Sequence, residues 1–140
     1  MHSIDFFRAA ILGVGVLIVT LIASIPMVAV YAYVINPGQT QAFYNGAAQW
    51  IAPWSSHILG PLLFLWWNYR GAVRKPERNA MAFAWAGIGS YVIAELASIP
   101  LFGLTFATVL TMTFFVSLAA KTGGALLGAW RGSRPAVPNG

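Results

Sequence analysis

Apolar residues run almost unbroken through four stretches of this chain, and the polar residues gather at the seams between them. The runs extend from Ala9 to Ile35, from about Pro53 to Tyr69, from Ala80 to Ile99 and from Leu104 to Leu127. A helix needs about 20 apolar residues to cross a bilayer. In lipid the backbone must satisfy its own hydrogen bonds, so such runs predict helices. The expected fold is an all-α membrane protein, a four-transmembrane-helix bundle forming one domain over residues 1–132. Ser133 to Gly140, with its prolines and glycine and no apolar face, is expected to be a disordered tail.

The seams carry their own signals. The first run is too long for a signal peptide, and Tyr31 and Tyr33 stand where a cleavage site would need small residues. Pro26 should kink it, because the ring removes one backbone hydrogen bond. Asn36-Pro37-Gly38 ends it. Gln39 to Gln49 is polar but uncharged, with Phe43, Tyr44, Trp50 and Trp54 spread along it and just beyond. That mixture predicts an interfacial loop or short helix; an aromatic ligand cage is the alternative. Pro53 suits the first turn of the second span, and Gly60-Pro61 should bend that span. Between the third and fourth runs, Pro100 reads either as a turn residue or as a kink.

Residues 11–27 and 85–101 resemble each other at a constant offset of 74 residues. Gly13 matches Gly87, Gly15 matches Gly89, and Ala23-Ser24-Ile25-Pro26 matches Ala97-Ser98-Ile99-Pro100. Leu21 falls opposite Glu95. This predicts two tandem helical hairpins related by an internal repeat, with an acid in one copy.

Composition narrows the class. The chain of 140 residues is 59% hydrophobic and 8% charged, too few charges to cover a soluble domain. There is no cysteine, which excludes disulfides, thiol catalysis and iron–sulfur clusters built from this chain. With His2, His57, Asp5, Glu77 and Glu95 as the other candidate ligands, neither a zinc site nor bis-histidine haem can be assembled within one chain, and no metal or cofactor is expected. The net charge of +5 is the balance of eight basic residues, Arg8, Arg70, Arg74, Lys75, Arg78, Lys121, Arg131 and Arg134, over the three acids. With four spans all eight are expected on one side, which predicts a multi-pass protein of the plasma (inner) membrane with both termini cytoplasmic. Arg70, Arg74, Lys75 and Arg78 form the dense basic run, suited to anionic lipid headgroups. No nucleic-acid motif is present.

The candidate chemistry is sparse. Glu95 lies four residues before the end of the third run, and an ionisable residue there is costly. His57, expected in the first turns of the second span, should lie at similar depth. Tyr91, Glu95 and Ser98 share one helix face by their i, i+4, i+7 spacing. A Glu–His pair can move protons or bind a cation; equally, each residue can be a locally bonded group that helps helices pack. Ala86, Ser90, Ala94 and Ser98 form one small-residue stripe, and Ala120, Gly124 and Gly128 another, suited to close contact within the bundle or between protomers. The plan of four short spans with one membrane glutamate resembles small multidrug transporters in architecture, but their sequence pattern is lacking. No catalytic motif is found, so an enzyme is not expected. The expected function is an accessory or oligomer-forming subunit of a membrane complex, partnered by lipids, by copies of itself or by other membrane subunits. The alternative is a small proton- or ion-coupled transporter or channel with Glu95 as its protonatable site.

Overall fold

The computed structural model describes residues 3–101, 103 and 105–134. Among these the chain is helical throughout: α1 (Ser3–Val30), continued by a π-helical turn at Tyr31–Ile35, α2 (Gln41–Arg74), α3 (Ala80–Leu101), the short α4 (Phe106–Val109) and α5 (Met112–Gly132). The segments Asp5–Ile35, Ala80–Leu101 and Met112–Gly132 are long and apolar enough to span a membrane. The α2 helix is the longest, at 34 residues, but Gln49, Ser55, Ser56, His57 and Asn68 lower its hydropathy. Several of these face inward: Ser55 and Asn68 are each 2% exposed.

Helix boundaries depart from the sequence expectation in three places. The second helix begins at Gln41 rather than Pro53, because Thr40 caps it and accepts a hydrogen bond from the Phe43 amide at 3.3 Å. The stretch expected to be interfacial is therefore the start of α2, and Pro53 and Pro61 lie inside the helix. Pro100 is within the last turn of α3; the reversal is made by Gly103, whose φ of 67° suits a residue without a Cβ. The expected start of the fourth span at Leu104 lies outside the described residues. From Phe106 the helix runs only to Val109 and restarts at Met112. Thr105, Thr108, Thr111 and Thr113 crowd this break. Threonine is stiff at χ1, and its hydroxyl competes for backbone groups, so such a cluster favours interruption. The expected disordered tail falls mostly outside the described residues, but its first two residues close α5. The Ser133 hydroxyl donates to the Ala129 carbonyl at 2.7 Å, and the Arg134 guanidinium lies 3.5 Å from the Trp130 ring centre.

The helices pack as two parallel pairs. Along α5, Gly124, Gly128 and Gly132 lie against the backbone of Pro61, Leu65 and Tyr69 on α2, one turn at a time. A Cβ on Gly132 would come within 2.6 Å of the Tyr69 carbonyl oxygen, and one on Gly128 would collide with the Leu65 carbonyl. In the other pair Gly13 of α1 sits against Gly87, Ser90 and Tyr91 of α3. The two pairs are antiparallel to each other: the Ser55 hydroxyl of α2 donates to the Thr20 carbonyl of α1 at 3.0 Å, and Lys121 of α5 lies over Tyr91 of α3. Sequence neighbours α2 and α3 meet little and occupy a diagonal.

Both small-residue stripes are thus largely used within the chain. The Ser90 hydroxyl reaches the carbonyls of Gly87, Ala9 and Ala10 at 2.9, 3.3 and 3.4 Å, and Ala86 packs against the core. Ala120 is the exception and is exposed. Of the glycines matched across the two similar segments, Gly13 and Gly87 lie on the α1–α3 crossing, while Gly15 and Gly89 have open space around them.

Candidate functional site

Glu95, His57 and Ser98, from α2 and α3, line two adjoining clefts, and Tyr91 is buried one helical turn before Glu95. The larger, of about 530 Å³, is lined by Glu95, His57, Ser56, Gln49, Thr113 and Ser117, among others. The second, of about 340 Å³, adds Thr20, Ser24, Ser55 and Ser98, with Glu95 again on its wall. Glu95 is half-buried. The rim residues Gln49, Pro53, Thr111 and Thr113 are exposed, so the larger cleft reaches the surface where the helix between α4 and α5 is broken.

Local chain chemistry explains why a cleft forms here. Pro53 has no N–H, so the Gln49 carbonyl lacks its usual helical donor, and both residues border the clefts. His57 uses Nδ1 on the Pro53 carbonyl. Its Nε2 is buried without a partner among the described residues. The Ser98 hydroxyl turns back to the Glu95 carbonyl at 2.7 Å. Because α2 begins twelve residues earlier than Pro53, His57 is not in the first turns of its helix. It stands two residues from Ser55, which meets Thr20 about halfway along the apolar segment Asp5–Ile35. Glu95 is near the end of α3 yet faces the middle of α1, because α1 continues well past the end of α3.

The residue that sequence reasoning misplaced is Lys121. Grouped with the flanking basic residues, it instead lies inside α5, about 14 Å from the helix start at 1.5 Å per residue, and is 1% exposed. Lys121 therefore does not belong with the basic residues that flank the expected spans. Lys121 donates to the Ser117 hydroxyl, and its ammonium lies 4.9 Å from the Tyr91 ring centre. Gly60 makes the room: a Cβ there would approach the Lys121 Cε to 2.6 Å. The groups close enough to act on the charge of Glu95 are Lys121, Tyr91 and His57. Tyr91 is fully buried, and its hydroxyl stands near Ser56 and Glu95 but makes a well-formed hydrogen bond to neither. A buried hydroxyl without a partner costs about 1–3 kcal/mol, so one beside the Glu95 carboxylate suits a site that takes up water or a polar ligand. The available signal was spacing: Lys121 stands four residues after Ser117, inside an otherwise apolar and small-residue helix.

The basic run does not behave as one surface. Arg70 lies 4.9 Å over the Trp66 ring. Arg74 is exposed and Lys75 half-buried. Arg78 turns inward, 3.8 Å from Asp5 and 3.6 Å from the Phe83 ring centre, with its side chain 7% exposed. Burial pulls its guanidinium below the ordinary arginine value, while facing Asp5 acts in the opposite direction.

Among the described residues no cluster of histidine and acidic side chains is placed to hold a metal ion. Compared with known proteins, the chain matches no family model, no curated protein and no solved structure.

Proposed function

We propose that this chain is a multi-pass membrane protein that moves protons or a small ion, with Glu95 as the protonatable group and Lys121, Tyr91 and His57 as the groups that set its charge state. One observation carries the reading: Glu95 stands on the walls of two clefts, with a fully buried lysine and an unpartnered tyrosine hydroxyl behind it. Ionisable groups at membrane depth are expensive, and they mark ion or proton pathways more often than they serve stability. In this reading α2 crosses alongside the three more apolar helices, its polar residues turned to the clefts. The end bearing Arg8, Arg70, Arg74 and Arg131 is the cytoplasmic face of an inner membrane. The two similar segments are then the inward-packed helices of two hairpins, and only the second copy supplies the acid.

The other reading, a subunit acting through helix packing with copies of itself or with other membrane proteins, drew its support from the small-residue stripes. Most of those residues are occupied within the chain.

The chain has no cysteine, so single cysteines give a clean test. Thr113→Cys and Ser56→Cys should react with a membrane-impermeant maleimide in intact vesicles, and Val116→Cys, on the exposed apolar face, should not. In proteoliposomes holding a proton-sensitive dye, an imposed potential should drive proton entry that Glu95→Gln lowers at least tenfold. Unreactive cleft cysteines, or entry no faster in parent vesicles than in protein-free ones, would reject the proposal.

A further inference from the structure

At the opposite end of the bundle from Glu95, a separate cleft of about 380 Å³ is lined by Arg8, Arg74, Lys75 and Arg78 over Ile11, Leu12, Trp67 and Phe83. Four cationic side chains from α1, the end of α2 and the α2–α3 connection converge on it. Among the described residues the single ion pair is Asp5 with Arg78, so Arg8, Arg74 and Lys75 face the cleft with no carboxylate partner. The Arg78 Nε, at the same cleft, is buried and has no hydrogen-bond partner. The floor is of the opposite character: Ile11 and Trp67 are 54% and 48% exposed, and they continue the cleft along the outer faces of α1 and α2.

A cationic mouth over an apolar, outward-running floor fits an amphiphile with an anionic head. We propose that this cleft seats one anionic glycerophospholipid, its phosphate held by Arg8, Arg74 and Lys75 and its acyl chain lying along Ile11 and Trp67. Arginine suits phosphate because its planar fork of donors matches the phosphate oxygens. Basic pockets between membrane helices at the headgroup level take such lipids. The seat differs from the simple basic run of the sequence. Arg8, distant in sequence, joins it. Arg70, held over Trp66, does not line it. The Asp5–Arg78 contact ties the start of α1 to the α2–α3 connection and so fixes the mouth.

The test is native mass spectrometry of the full chain released from micelles holding equal amounts of phosphatidylglycerol and phosphatidylcholine. The parent should retain one phosphatidylglycerol in preference to phosphatidylcholine. The double variant Arg8→Gln/Arg74→Gln, altering two exposed side chains, should retain at least tenfold less. Arg131→Gln/Arg134→Gln, at the same end but away from the cleft, should bind as the parent does. Millimolar inorganic phosphate should leave the lipid in place; displacement by phosphate alone would make this a free-phosphate site and overturn the lipid assignment. Equal retention by parent and Arg8→Gln/Arg74→Gln, or equal loss in the Arg131→Gln/Arg134→Gln control, would overturn the seat itself. Proton entry through Glu95 is read separately, so the two proposals can fail independently.

Discussion

The two halves of this bundle are held by different means. In the half nearer the basic end, glycines bring backbones into contact, where Gly124, Gly128 and Gly132 of α5 meet α2 and Gly13 of α1 meets α3. The apolar core lies there too, with Phe64, Ala84, Ala125 and Ala129 fully buried. In the other half, α3 ends early, the helix after it breaks at Leu110–Thr111, and proline replaces an amide donor at Pro53. Side chains there line clefts instead of filling a core. Without a hydrophobic force between helices in lipid, close backbone approach is what holds them together. Where small residues stop and polar ones begin, the helices part. One half is a clamp, and the cleft-bearing half is positioned by it.

The largest expected effect comes from breaking the clamp. Gly128→Val would drive a branched side chain into the Leu65 carbonyl and should cost about 1–3 kcal/mol or more, as overpacking does. Gly123→Val, with nothing within 4 Å, should cost far less. Thermal melts in one mild detergent compare them, and equal losses would mean that the α2–α5 contact is not the clamp.

Next in size is the ion pair that closes the same half. Asp5→Ala leaves Arg78 largely buried without its carboxylate and should cost on the order of 2 kcal/mol, between exposed and fully buried pairs. Asp5→Ala/Arg78→Met should recover part of that loss. A double variant no better than Asp5→Ala would show that packing, rather than charge, fixes that end.

Lys121→Met asks whether the polar interior contributes to stability. Methionine is unbranched and near lysine in length, so it can follow the path beside Gly60 and remove a buried charge that stands in no ion pair among the described residues; burying such a charge is costly, so its removal should be neutral or stabilising. The melting temperature should hold or rise while proton entry falls. A loss above about 2 kcal/mol would recast Lys121 as a structural clamp. The smallest difference should separate the matched glycines. Gly15→Ala and Gly89→Ala meet nothing and should change stability by less than about 0.5 kcal/mol, as substitutions away from special features do. Gly13→Ala meets Ser90 and the Gly87 carbonyl and should be measurably destabilised. Equal behaviour of all three would mean that the α1–α3 crossing is looser than its geometry.

The sequence by itself determined the class of the protein. Long apolar runs, few charges and paired small residues dictate closely packed helices long and apolar enough to cross a membrane, since a bilayer leaves the backbone of such a run no other way to bond itself. It also put Tyr91, Glu95 and Ser98 on one face of a helix, since helical spacing is a local property, whereas His57 was joined to them by an expected depth in a helix whose start proved to lie earlier. Tertiary structure decided the rest. Whether Pro53 starts a helix or lies within one depended on Thr40, thirteen residues before it. Whether Lys121 flanks a span or is buried depended on Gly60 of another helix leaving room for its stem. Whether Arg78 meets lipid or protein depended on Asp5, far away in sequence. For Lys121 and Arg78 the side chain's environment was supplied by a different helix, and pairing between helices is a property of the folded whole that no window along one helix contains; the Thr40 cap, by contrast, is local to α2.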